Sequence, residues 1–235
     1  MSVTIIARCH PALAPILPKP VAARSGLPDW LKAMSPEAAS ATLGGAMVRT
    51  VKHCPPFLDA MGAGILMPLA CDLTMAGGEL SWDWSPPPLP DQLTGRAPIG
   101  VHVPEQLADS PLESGRFAVK FMNFWTLSAP EGWSILFTHP LNRDDLPFRT
   151  LSGIVDCDRF GAGLVHFPAV WADPGFAGTL PAGTPVAQAI PIPRRGLDLV
   201  VETMSEDQQT ATRSVQEALQ AEPGVYRKRY RAGRG

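Results

Sequence analysis

No stretch of this 235-residue sequence reaches the ~18 uninterrupted apolar residues of a membrane-spanning helix, and no membrane partner is expected. The first twenty residues break their apolar run with Arg8 and His10 and carry prolines from Pro11 onward, unlike the continuous segment of a signal peptide. The four cysteines (Cys9, Cys54, Cys71 and Cys157) lack any C-x-x-C spacing, which points to free thiols in a reducing cytosol and a cytoplasmic location. His53, His102, His139 and His166 form no H-x-H or H-x-x-x-H pair, so the sequence announces no metal-binding face. There is no basic surplus either: the formal net charge is −2. Five Lys and Arg residues crowd into the last ten positions, leaving fifteen basic against twenty-two acidic residues elsewhere. A modestly acidic body with a short basic tail does not fit a dedicated nucleic-acid binder, whose affinity comes from many phosphate contacts.

What is abundant is proline, 26 residues beside 21 glycines in a chain that is 45% hydrophobic. Proline ends helices and is tolerated in sheets mainly at edges, strand starts and bulges, so an apolar chain punctuated this way suggests short strands joined by rigid loops. The length suits one domain with a decorated N-terminus. Residues 27–32 read as a short helical turn, and Ser35-Pro36-Glu37 has the order of an N-cap, a first-turn proline and a first-turn acid. From Met47 the pattern turns to β. Residues 62–73 are apolar and glycine-rich, 80–84 alternate strictly, and 86–90 form a proline-rich connection. Further strands are read at 117–127, 133–138, 164–170 and 185–192, separated by Pro, Gly and Asp turns. Residues 205–221 form the clearest helix, with Ser205 and Gln208 as a capping box, Ala211, Val215, Ala218 and Leu219 on one face, and Pro223-Gly224 beyond its end. The expected organisation is an N-terminal extension with short helices at 1–46, a β domain at 47–204, and a C-terminal helix with a basic tail at 205–235. The fold class is mainly β, a barrel or folded sandwich.

Two segments carry candidate chemistry. In Gly153-Ile154-Val155-Asp156-Cys157-Asp158-Arg159-Phe160-Gly161, two glycines bracket an acidic turn, and Asp156 follows two β-branched residues that would set its carboxylate at the mouth of a sheet. In Ala182-Gly183-Thr184-Pro185-Val186-Ala187-Gln188, a turn glycine leads into a strand carrying one glutamine among apolar neighbours. A buried amide needs partners, so Gln188 either closes a hydrogen-bond network or faces a ligand. Asp156 and Asp158 also suit plain turn chemistry.

These two segments resemble the third and fourth motifs of the dUTPase and dCTP-deaminase superfamily, with glycines, acid and glutamine in register. Residues 133–194 are then similar to the second half of a β-clip fold. The resemblance implies that Asp156 takes the place of the carboxylate that activates water against an α-phosphate, and that Gln188 holds the neighbouring loop. Arg159 stands where that superfamily has an aromatic residue, with Phe160 displaced by one. His139-Pro140-Leu141-Asn142-Arg143 replaces the Arg-Ser-Gly phosphate cradle, and Gly233-Arg234-Gly235 lacks the closing aromatic. These departures speak against authentic dUTPase activity. Homotrimers with exchanged C-terminal arms are common in that superfamily, so the resemblance also implies a homo-oligomer, with the basic tail lying on a neighbouring copy. Over most of the chain, and most visibly at 54–59, 124–140 and 178–195, the sequence also resembles a phage and bacterial family of no assigned function.

The leading expectation is a small-molecule site, nucleotide-derived by resemblance, with Asp156 at its centre and Gln188, Asn142, Arg143 and Asp158 around it, compatible with binding or turnover. One alternative is a non-catalytic, phage-derived assembly or interaction protein. The other is a cupin-like metalloenzyme with His102 and His139 as first ligands, placed at strand ends by the nearby Pro104 and Pro140. No motif specifies a cofactor.

Overall fold

The computed structural model describes residues 3–89, 97–112 and 118–233. Pro90 of the proline run, Phe117 at the start of an expected strand, and Arg234 and Gly235 of the terminal motif lie outside them. In chain order the elements begin with β1 (Ile6–Arg8), β2 (Val21–Ala22), α1 (Asp29–Ala33), β3 (Glu37–Ala39), β4 (Met47–Arg49) and α2 (Pro55–Met61). There follow β5 (Ile65–Pro68), β6 (Leu73–Ala76), β7 (Glu79–Trp82), β8 (Ile99–His102), β9 (Ala118–Phe121) and β10 (Thr126–Ser128). The series ends with β11 (Trp133–Thr138), β12 (Phe148–Thr150), β13 (Gly153–Val155), β14 (Phe167–Trp171), β15 (Gly178–Leu180), β16 (Pro185–Pro193) and α3 (Glu206–Ala221). The fold is mainly β, as its composition implies. Among the described residues the strands form five antiparallel sheets, none of which closes on itself.

The chain divides into two compact units, Met1–Ala33 with Asp59–Arg194, and Met34–Leu58 with Arg195–Gly235. This division differs from the serial one read from sequence. Residues 1–33 belong to the β unit because β1 pairs with β10 and β2 with β5. Residues 34–58 group instead with the C-terminal helix.

The first unit is organised on β16, which pairs with β11 along Trp133–Thr138 and with β5 through residues 185–189. Pro191 and Pro193 sit past the end of the β5 pairing. Arg194 N–H donates to Gly132 O at 2.7 Å, so the even residues of this stretch face β11 and the two prolines miss only donors that no strand receives. Gly64 lies against the same strand with φ +69°; a Cβ there would stand 2.1 Å from Ala189 O. Only glycine combines that left-handed backbone with that approach. Ile135 and Phe137 of β11 point into the core, while Ser134, Leu136 and Thr138 take the opposite face. Phe121 and Phe148, 4.6 Å between ring centroids, and Phe137 and Phe167, 5.5 Å apart, tie the strands of the core together.

The second unit contains the β3–β4 hairpin, a 3₁₀ turn at Val51–His53, the start of α2, and α3. Ser35-Pro36-Glu37 does not start a helix. Glu37 opens β3, and the donation from Thr50 N–H to Pro36 O at 3.0 Å extends the hairpin, so long-range pairing overrides the local signal. The α3 capping box is present: Ser205 Oγ accepts from Gln208 N–H at 3.3 Å, and Gln208 Oε1 accepts from Ser205 N–H at 2.8 Å. After Pro223 and Gly224 (φ +81°), the tail turns back as a π-helical segment, Tyr226–Tyr230, instead of extending as an arm.

Candidate functional site

The end of the β13–β11–β16 sheet holds the first cluster. Val155 pairs with Ile135, which sets Asp156 beside Ser134 on the face opposite the core. Ser134 Oγ donates to Asp156 Oδ1 at 2.6 Å, and Arg194 Nη1 lies 3.0 Å from the same oxygen. Arg194 also donates to both oxygens of Asp158, from Nη1 at 3.0 Å and from Nη2. Gly132, at φ +77°, donates its N–H to Asp158 Oδ2 at 3.0 Å. The hydrogen bond from Ser134, then that from Arg194, holds the Asp156 carboxyl below the ordinary range. Arg194 does the same to Asp158, bringing it to about 2, and the two carboxylates raise the Arg194 guanidinium in turn. Both acids therefore stay ionised at neutral pH with their charge shared by one arginine. A carboxylate held this way is a poor proton acceptor, and the cluster acts as a clamp closing the sheet end.

The other expected site residues gather elsewhere. Gln188 is fully buried and pairs with Thr138, while Ser134 lies four residues away on β11, or ~13 Å at ~3.3 Å per residue. The structure therefore does not bring Gln188 and Asp156 to one cleft. Gln188 Nε2 donates to Ala60 O at 2.9 Å and Ala63 O at 2.6 Å, and Oε1 accepts from Leu141 N–H at 2.8 Å. Of the two roles open to it, the glutamine closes a network. Asn142 occupies the left-handed region at φ 59°, a turn role that Asn tolerates. Arg143 is committed to Asp145 through Nε at 2.8 Å and Nη2 at 2.9 Å. Burial pushes the Asp145 carboxyl up, but these bonds outweigh it and leave the group lowered. The cavity shared by Gln188 and Arg143 measures about 10 Å³, room for one water.

His139 and His166 are similarly occupied, whereas His102 leaves its buried Nε2 without a hydrogen-bond partner among the described residues. His139 Nδ1 accepts from Thr150 N–H at 3.3 Å and Nε2 donates to Arg143 O at 3.0 Å, and burial lowers its pKa. His102 Nδ1 meets Gln106 Oε1 at 2.6 Å. His166 Nδ1 accepts from Asn123 N–H at 3.1 Å, so it is a satisfied interior histidine. Among the described residues no group of three or more His, Cys, Asp or Glu side chains is placed to hold a metal, so His102 and His139 are not joined in such a set. Burial pushes the Cys71 and Cys157 thiols up to about 11, which leaves them inert as nucleophiles at neutral pH.

A concavity that sequence reading missed lies within the second unit and measures about 830 Å³. Its walls come from residues 49–58 and 219–231. Leu58, Leu219, Val225 and the Tyr226 ring, with Pro55 and Pro56, supply apolar surface. Arg49, Lys52, Arg227, Lys228 and Arg231 face it against a single carboxylate, Glu222, which pairs with Lys228. Lys52 Nζ also donates to Met34 O at 2.8 Å. Part of this positive charge answers the C-terminal end of α3, where cations are favoured. The volume and the apolar lining with a few convergent charges match an organic-ligand site. The signal in the sequence was the acid-free basic tail, but its partner segment, 49 to 58, carries no pattern linking the two.

No protein-family model matches this chain, and no curated protein matches it significantly.

Proposed function

We propose that this chain is a binding protein for an anionic ligand with an apolar body, and that the concavity of the second unit is its site. The single observation carrying this reading is the combination in one ~830 Å³ space of an apolar floor with five Lys and Arg side chains and one already-paired acid. Charged partners inside a partly dry groove form hydrogen bonds roughly twice as strong as neutral ones, so anion selectivity follows from the lining itself. In this reading residues 133–194 serve as a β-clip-like scaffold. Its support is the acidic turn after β13 and the β11–β16 pairing, with Asp156, Asp158 and Arg194 closing the sheet end.

The test uses anilinonaphthalene sulfonate, a fluorescent anion with an apolar body. It is expected to bind the native chain at one site, and an Arg49→Glu/Arg227→Glu variant should lose at least about tenfold in affinity, equivalent to ~1.4 kcal/mol. Equal binding by the two proteins would remove the groove from consideration.

A further inference from the structure

The second unit contains a segment whose chemistry mirrors that groove. Residues 196–204 run without helix or strand between β16 and α3, and among the described residues no backbone–backbone hydrogen bond is found for 196–203. Leu197, Leu199, Val200 and Val201 are 89%, 82%, 72% and 86% exposed, and Met204 is 52% exposed. Contiguous apolar surface of this kind is rare on a monomer and marks an interaction site. On an extended backbone Leu197, Leu199 and Val201 share one side, and Asp198, Val200 and Glu202 the other. The segment thus has one apolar side and two acids, in the same unit as a basic groove with an apolar floor.

We infer that residues 197–204 of one copy occupy the basic groove of a second copy, so that the groove's anionic, apolar ligand is this chain's own segment; the inference rests on the binding role proposed above. Charge matches charge: Asp198 and Glu202 meet a rim that includes Arg49 and Arg227, while the leucines and Val201 cover Leu58, Leu219 and Val225. Within its own chain the segment lies outside the groove: Leu197, Leu199 and Val201 are over four-fifths exposed, and none of residues 197–204 lines it. The segment is tethered at Ser205, the N-cap of α3, and Leu219 lies ~20 Å further along the helix at 1.5 Å per residue. Glu202 stands only three residues from that tether and reaches at most ~11 Å. A neighbouring copy has no such tether. In a twofold pair each copy gives one segment and receives one, which doubles the buried area for a single kind of contact.

The experiment has three arms on the full chain. Light scattering across a concentration series is expected to show self-association, lost in a Leu199→Asp/Val201→Asp variant. These side chains are over four-fifths exposed and lie outside α3, so the circular dichroism of this variant should equal that of the native protein. A fluorescein-labelled peptide of residues 196–204 should bind that monomeric variant by anisotropy, and bind at least about tenfold more weakly once Arg49→Glu/Arg227→Glu is added. Changing Asp198 and Glu202 of the peptide to Lys should restore affinity for the charge-reversed groove. A monomeric native chain, an oligomer indifferent to the segment variant, or a peptide that does not bind overturns the inference. If the peptide fails while anilinonaphthalene sulfonate still binds in an Arg49- and Arg227-dependent way, the groove remains a binding site and only its occupant was misassigned. If both probes fail, both conclusions fall.

Discussion

Replacing Gln188 by Met tests whether that residue holds the first unit together or serves a ligand. Methionine keeps the unbranched shape and the apolar contacts of the buried stem, so the change isolates the polar end. It strands two backbone groups, the N–H of Leu141 and the carbonyl of Ala63, while the carbonyl of Ala60 keeps the N–H of Ala63 at 3.2 Å. An unsatisfied buried group costs roughly 1–3 kcal/mol. Leu141 and Ala63 are half-buried and water can reach part of the loss, so the low end applies, about 1 kcal/mol each and ~2 kcal/mol together. At ~2–4 °C per kcal/mol for a unit of this size, the melting temperature should fall by about 4–8 °C. The readout is specific. All six tryptophans lie in the first unit and both tyrosines in the second, so a urea titration followed by tryptophan fluorescence reports the first unit alone. Gln188→Glu adds a sign. A carboxylate facing two carbonyls has its pKa raised, so the unfolded chain ionises first and the defect should grow as pH rises through the carboxylate range. A Gln188→Met protein within ~0.5 kcal/mol of native, the range of an ordinary surface substitution, would refute the network account and return Gln188 to the ligand-facing role.

The Asp158 carboxyl is lowered to about 2, so its stabilising effect is present above the ordinary carboxylate range and lost as pH falls through about 2; an acid titration of tryptophan fluorescence should show this loss, and Asp158→Asn should abolish it. Asp156→Asn should perturb the same titration less, because its side chain is 49% exposed against 5% for Asp158. Gly64→Ala is expected to destabilise the first unit by about 3 kcal/mol or more, combining backbone strain at φ +69° with a clash against Ala189 O; an unchanged urea midpoint would contradict the close approach. Thiol labelling with an aromatic disulfide should modify exposed Cys54 first and reach Cys71 and Cys157 only on unfolding; simultaneous labelling of all four would contradict the buried placement.

The parts of the fold that were legible are those where one local rule acts without competition. β11 alternates, and its expected limits at 133 and 138 are the observed ones; β16 is bracketed by Pro185 and Pro193; α3 carries both halves of a capping box. The expected strand at 117–127 splits into β9 and β10 because Asn123 turns its amide onto the backbone of Trp125, through Oδ1 at 2.9 Å and Nδ2 at 2.6 Å. α2 escaped notice because Pro55-Pro56 resembles a loop, although a helix accepts proline in its first turn. For the candidate site, the acidic turn was correctly placed at the end of a strand, but sequence spacing could not give its partner. Arg194 reaches Asp156 and Asp158 only because β16 runs antiparallel beside β11, a fact of pairing register that no local pattern records.

The charge asymmetry of the sequence takes on a different meaning once unit boundaries are known. Read along the chain, it was an acidic body with a basic tail. In the second unit it becomes a polarity along one helix: Asp198, Glu202, Glu206 and Asp207 at the N-terminal end of α3, and Arg227, Lys228, Arg229 and Arg231 after its C-terminal end. Glu206 and Asp207, in its first turn, stabilise α3 by opposing its macrodipole, at ~0.3–1 kcal/mol per charge. The same arrangement makes opposite ends of two copies attractive to each other, and these two consequences separate by residue. Glu206 and Asp207 lie in the first turn of the helix, where neutralising them should lower helicity. Asp198 and Glu202 lie outside the helix, beyond the last-turn distance over which the dipole acts, so neutralising them should leave circular dichroism unchanged while weakening association. Sensitivity of both observables to the same pair of acids would mean that the charges serve the helix alone.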